Sequence, residues 1–163
     1  AHRFFAALEQ TGKEVTVVTQ NIDNLHQSAG SSAIIELHGN GTRWRTSDTA
    51  EPADATTIKM DAQGIQRDSQ GRMVRPDIVL YGEMLDEEAM DHAAAAIGAA
   101  DMLVVIGTSL AVYPAASFVH YFKGPYAVLL NRTTVPQSLS IQLAVQTDAG
   151  AFLADVWQEF FEK

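Results

Sequence analysis

The 163-residue chain has no cysteine. That excludes disulfides, thiolate nucleophiles and cysteine-ligated zinc. It fits a reducing compartment, so the expected location is cytoplasmic. No apolar run approaches the ~20 residues that span a bilayer, and no membrane partner is expected. The first ten residues, AHRFFAALEQ, carry charge inside an amphipathic pattern and do not read as a signal peptide. Positive charge is scarce, with 11 Lys and Arg against 20 Asp and Glu and a formal net charge of −9. Such a chain repels phosphate backbones, so nucleic acid is not an expected direct partner. A cationic peptide is compatible with the same sign. No G-x-G-x-x-G occurs; the nearest run, Gly39-Asn40-Gly41, lacks the third glycine. That argues against an ordinary dinucleotide oxidoreductase. None of the five histidines forms an H-x₃-H pair, and no metal ligands are expected.

What is present is an ordinary globular composition, 47% hydrophobic and 19% charged, long enough for one real core. Residues 1–10 place Phe4, Phe5 and Leu8 on a helical face, with no cap before the first residue, as if cut from something longer. Residues 15–19 and 34–37 read as short buried strands, and 22–29 as a short helix ended by Gly30. A strand is expected at 78–81. Asp86 should cap an alanine-rich helix ending near Ala99, with Glu87 and Glu88 in its first turn. Strands at 101–106, 126–130 and 141–145 follow. A helix opens at Pro114 and ends at Gly124, and another closes the chain over 149–161. Strands alternating with helices predict an α/β fold, a parallel Rossmann-like sheet with helices on both faces. Residues 1–38 and 75–163 form that domain. Residues 39–74 thin out in large apolar groups and read as a small insert on a β-ribbon, with Ile58 and Met60 on one face. A mobile loop is the competing reading.

The chemistry concentrates in residues 19–38, TQNIDNLHQSAGSSAIIELH. One strand runs out into Gln20, Asn21 and Asp23; the next delivers His38. Ligands of open α/β sheets sit beyond the carboxyl ends of the strands. Amides, a carboxylate and an imidazole at one rim can hold a polar ligand and move a proton. Gly107-Thr108-Ser109 ends another strand and offers amides and hydroxyls to a phosphate or ribose, although a plain turn is as good a reading. The run Gly107-Thr108-Ser109-Leu110-Ala111 approximates a nucleophile elbow. The only later histidine, His120, precedes the next acid, Asp148, which reverses the order a serine hydrolase needs.

Seven segments in order, AHRFFAALEQTGK, VVTQNIDNLHQSAG, ELHG, RPDIVLYGE, DMLVVIGTSLAVYPA, LLN and TDAG, resemble the sirtuins, the NAD-dependent protein deacylases. The resemblance runs over nearly the whole chain. It implies NAD as cofactor and an acyl-lysine protein or peptide as partner. Gln20, Asn21 and Asp23 would line the nicotinamide and ribose pocket, with Asn21 and Asp23 beside His38, the catalytic base. Gly107, Thr108 and Ser109 would meet phosphate and ribose, Asn131 the adenosine ribose, and Ala149 the adenine. Leu80, Tyr81, Gly82 and Glu83 on one side, and Val112 and Tyr113 on the other, would form two edges pairing with the substrate backbone. The acyl group would pass from lysine to ADP-ribose, with release of nicotinamide. Mono-ADP-ribosyl transfer and a non-catalytic NAD- or peptide-binding module are the alternatives.

The sequence departs from the family in three places. Asn24 stands where glycine is usual. The family's opening strand and G-A-G-x-S loop do not occur, so the sheet is expected without its first, central strand. The family also carries C-x₂-C twice in the insert. By spacing, the first pair falls on Thr46 and Thr49 and the second near Arg67 and Gln70, so the insert is expected to fold without zinc.

Overall fold

A computed structural model describes residues 1–135 and 141–161. Its parallel strands fall into two sheets. In the first, β1 (Thr16–Thr19) pairs with β2 (Ala33–Glu36), with Thr19 opposite Glu36. In the second, β8 (Met102–Ile106) pairs with β9 (Tyr126–Asn131), and β9 with β10 (Leu143–Gln146). Among the described residues the two sheets share no strand pairing. They do share a core. Val18, Ile35 and Leu103, from β1, β2 and β8, pack on Leu37, Leu85, Ala93, Ile97, Ala115 and Phe118. Ala93 and Ile97 belong to helix α3 (Glu87–Ala99), while Ala115 and Phe118 belong to a 3₁₀ helix, Ala115–Tyr121. Each large side chain buried there contributes about 1.5–3 kcal/mol. A second cluster, Val105, Val119, Leu129 and Val135, joins the first through Leu103.

The outer helices follow their sequence patterns. Asp86 caps α3 as expected, its Oδ1 accepting from the Ala89 amide at 2.8 Å. Helix α1 (His2–Gln10) lies on α2 (Leu25–Ala29) and on α4 (Ala149–Phe161), where the Phe4 ring meets Trp157 and Phe161. Helix α2 is shorter than the expected 22–29. Asn24 has φ +61°, a left-handed residue that an α-helix does not tolerate, so Ile22 and Asp23 stay in the loop.

The 39–74 segment is ordered, against the loop reading. Its frame is β3 (Gly39–Thr46), eight residues long, antiparallel to β7 (Val74–Ile78) and to the short β4 (Pro52–Ala53). A small ribbon, β5 (Lys59–Met60) with β6 (Gln66–Arg67), stands beside it. Two expectations are corrected. The strand assigned to 78–81 is β7, four residues earlier, and it belongs to this antiparallel sheet. The Ile58/Met60 face is not a core, since Met60 is 68% exposed and Met73 49%. The segment is held by polar bonds instead. Arg43 and Arg45 of β3 pair with Asp77 of β7, both at 3.3 Å, and Arg67 with Asp61 at 2.7 Å.

Candidate functional site

β1 ends at Thr19, whose Oγ1 accepts the Asn21 amide at 3.0 Å. The loop then turns through Asp23, whose Oδ1 accepts the Leu25 amide at 3.0 Å and so starts α2. Pairing of β1 with β2 continues one step further, from the Leu37 amide to the Thr19 carbonyl at 2.9 Å. That register sets His38 beside Gln20, with His38 Nδ1 3.0 Å from the Gln20 carbonyl oxygen. A carbonyl only accepts, so this bond assigns the proton to Nδ1. In the neutral ring Nε2 is then the bare nitrogen, free to take a proton. His38 is half-buried; Asn21 and Asp23 are exposed.

The backbone around His38 is tightly fixed. Its carbonyl accepts the Val79 amide at 3.0 Å. Gly39 follows with φ +73°, and a Cβ there would lie 2.2 Å from the Asp77 carbonyl oxygen, so no other residue fits without displacement. Behind the loop, Glu36 accepts from Gln27 Nε2, from Asn40 Nδ2 and from the Arg43 guanidinium. Sequence reasoning missed Glu36 and Asn40. Asn40 is two residues past the histidine and 1% exposed, and neither fact shows in a periodicity.

The residues expected to hold a nucleotide end the strands of the other parallel sheet. Gly107 follows β8 with φ +63°, and its amide donates to the Leu130 carbonyl at 3.0 Å. Thr108 Oγ1 accepts the Leu110 amide at 3.1 Å, while Ser109 is exposed. Asn131 ends β9 and donates to the Thr133 carbonyl at 3.0 Å. Ala149 opens α4. Before it, Asp148 accepts the Ala151 amide at 3.0 Å, and the Arg132 guanidinium holds its carboxyl below the usual carboxylate range. Every one of these groups sits at the carboxyl end of a parallel strand or just past it.

The two expected peptide edges are not strands. Leu80 and Glu83 close a turn. The Glu83 amide donates to the Leu80 carbonyl, and the Glu83 carboxylate accepts the Leu80 amide, each at 3.0 Å. Arg75 grips the same carboxylate and lowers its pKa. Val112 gives its carbonyl to the Ala116 amide at 2.8 Å. What both segments present is side chains, with Tyr81 and Tyr113 strongly exposed. Two cavities, of about 360 and 460 Å³, flank the antiparallel sheet. Gln20, Asn21, Asp23, His38 and Ser109 line neither of these two; what ties His38 to Gln20 is the direct Nδ1 bond.

The insert positions matching the family's cysteines do not fit a zinc ion. Thr46 and Thr49 bond to each other, Oγ1 to Oγ1, at 2.8 Å. Arg67 is a cation paired to Asp61, and Gln70 offers a neutral carboxamide where zinc takes a thiolate. Among the described residues no group of three or more His, Cys, Asp or Glu could hold a metal.

The Sir2 family model matches residues 1–114. The chain belongs to the Sir2 family. It is similar to the NAD-dependent protein deacetylase of Cutibacterium acnes, 44% identical over 155 residues, which are 95% of this chain and 63% of that protein. The Clostridium tetani protein of the same name is 39% identical over 160 residues, 98% of this chain and 65% of its own length. The chain thus spans less than two thirds of these curated relatives. A solved structure of Sir2 with p53 peptide and NAD+ superposes with a TM-score of 0.87 at 32% identity, over 99% of this chain and 70% of that one. One of Sir2Tm bound to a propionylated peptide gives 0.87 at 32%, over 97% and 69%. The Sir2 fold explains why these polar groups collect at the strand ends.

Proposed function

We propose that this chain carries the catalytic histidine of an NAD-dependent protein-lysine deacylase. One observation carries the reading. His38 is held by the Gln20 carbonyl in the tautomer whose Nε2 is a base, one strand away from the exposed Asn21 and Asp23. The relatives' printed names, and the NAD+ and acylated peptides of the solved Sir2 structures, support the same activity.

The strand ends suit NAD. A Cβ at Gly107 would meet nothing within 4 Å, so the backbone there is open to a phosphate. Thr108 and Ser109 add hydroxyls, and Asn131 and Ala149 stand at the adenosine end. Bound NAD supplies a cleavable ribose–nicotinamide bond and an ADP-ribose acceptor for the acyl group. Asn21 and Asp23 orient the carboxamide end, and Gln20 keeps the imidazole in register. His38 Nε2 takes a proton from a ribose hydroxyl. The exposed Tyr81 and Tyr113 are available to contact the acyl-lysine segment.

The insert works without zinc in this reading, because its matching positions carry hydroxyls and a paired arginine. The cytoplasm is the proposed location, on the absence of cysteine. In the natural gene product, His38→Ala should abolish NAD-dependent deacylation of an acetyl-lysine peptide and leave the circular dichroism spectrum unchanged. Turnover equal to wild type in that variant overturns the assignment.

A further inference from the structure

We infer that Asn24 and Asn40 are a positioning pair that straps the Asn21/Asp23 loop to β3, the strand that begins directly after His38. The inference rests on the deacylase reading for its kinetic consequence and on geometry for the strap itself.

Asn40 is 1% exposed, and all its bonding capacity is used. Its Nδ2 donates to Asn24 Oδ1 at 2.8 Å and to Glu36 Oε1 at 2.6 Å. Its Oδ1 accepts from the Thr42 amide at 2.9 Å and the Thr42 hydroxyl at 2.7 Å. Those four bonds leave Asn40 no freedom to rotate. Glu36 is equally fixed, with Gln27 on one oxygen and Arg43 Nη1 at 2.7 Å on the other.

Asn24 is the loop's side of the strap. Its φ of +61° requires glycine or a residue such as asparagine that tolerates the left-handed region. Glycine would satisfy the backbone and leave Asn40 with one donor unused. Asparagine satisfies the backbone and also ties the loop. A second tie lies two residues earlier, where the Gly41 amide donates to the Ile22 carbonyl at 2.9 Å. The two ties flank Asp23. Asn21 and Asp23 are themselves exposed, so packing does not place them; the two straps do so together with the local Thr19–Asn21 and Asp23–Leu25 bonds. The departure from glycine at position 24 thus has a partner, Asn40, on the strand that begins directly after His38.

The test compares Asn24→Gly with wild type in the natural gene product. Glycine keeps φ +61° without strain, so the side-chain bond is removed with no backbone clash introduced. We expect KM for NAD to rise about fivefold, the worth of one neutral hydrogen bond, with KM for the acetyl-lysine peptide unchanged. Amide hydrogen exchange at Gly41 and Leu25 should quicken. Asn40→Ser removes the same tie together with the bonds to Glu36 and Thr42, so it should raise KM for NAD at least as far. A KM for NAD within twofold of wild type in Asn24→Gly overturns the inference. So does a fall in kcat that tracks melting temperature with both KM values unchanged, which is what a purely structural residue would give. If the wild-type protein shows no NAD-dependent turnover, the deacylase reading fails, and exchange alone decides the strap. Faster exchange of the Gly41 amide in Asn24→Gly then sustains it, and unchanged exchange overturns it.

Discussion

Replacing Gly39 by alanine isolates the close approach that fixes His38. Two costs add at this position. A φ of +73° costs an L-residue about 1–2 kcal/mol. The new Cβ would stand 2.2 Å from the Asp77 carbonyl oxygen and 3.1 Å from Ile78 Cα, both backbone atoms of the paired strand β7. They can yield only if β3 and β7 part where Gly39 faces Ile78, and overpacking of this kind costs about 1–3 kcal/mol. The expected loss is therefore about 2–5 kcal/mol, a large share of the ~5–15 kcal/mol that holds a domain together. Gly64→Ala and Gly71→Ala supply the control. Their φ values, +79° and +78°, carry the same strain, yet a Cβ at either would meet nothing within 4 Å. Urea unfolding of the three variants, with m-values compared to wild type, separates the terms. Gly64→Ala and Gly71→Ala should lose about 1–2 kcal/mol each, and Gly39→Ala clearly more. A Gly39→Ala variant within about 0.5 kcal/mol of Gly64→Ala, inside the scatter of ordinary surface changes, would refute the close approach.

Three further outcomes follow from the same geometry. Burial, and then the neighbouring His2 ring, hold the pKa of His26 below the ordinary histidine value, against a smaller opposing pull from Asp23. The unfolded chain therefore binds the proton first, and stability should fall as pH drops from about 6.5 toward the lowered pKa. His26→Gln should flatten that part of the curve in thermal melts, and an unchanged curve would contradict the assignment. Chelator should leave the melting temperature unchanged and elemental analysis should find no stoichiometric zinc, whereas one zinc per chain held by residues 39–74 would contradict the proposed zinc-free insert. Asp86→Ala should cost about 1 kcal/mol by removing the α3 cap, measured by the shift of the urea midpoint.

The sequence was most informative where local rules decide the structure. Helix α4 has the bounds 149–161 that its apolar face predicts, and Asp86 caps α3 as its position suggests. Parallel strands β8 to β10 appear within two residues of their expected places. Legibility fails in β3. Its sequence GNGTRWRT has no alternation of apolar groups, and what makes it a strand is distant. Arg43 and Arg45 find Asp77 more than thirty residues on, and Thr46 is buried by a hydroxyl pair. The turn at 80–83 escaped for a similar reason. Ile78 to Tyr81 has strand composition, but the Glu83 carboxylate folds back on the Leu80 amide. At the site, His38 and Gln20 were readable as strand-end polar groups. Asn40 was not, because a buried asparagine is recognised only by its four partners.

The account's central claim is most directly tested by the products of the reaction. The natural gene product would be incubated with NAD and an acetyl-lysine peptide, and the mixture resolved by mass spectrometry. The account predicts one nicotinamide and one O-acetyl-ADP-ribose for each lysine freed, and neither from the His38→Ala variant. Free acetate without NAD consumption, or ADP-ribose attached to protein with the acetyl-lysine intact, would contradict it.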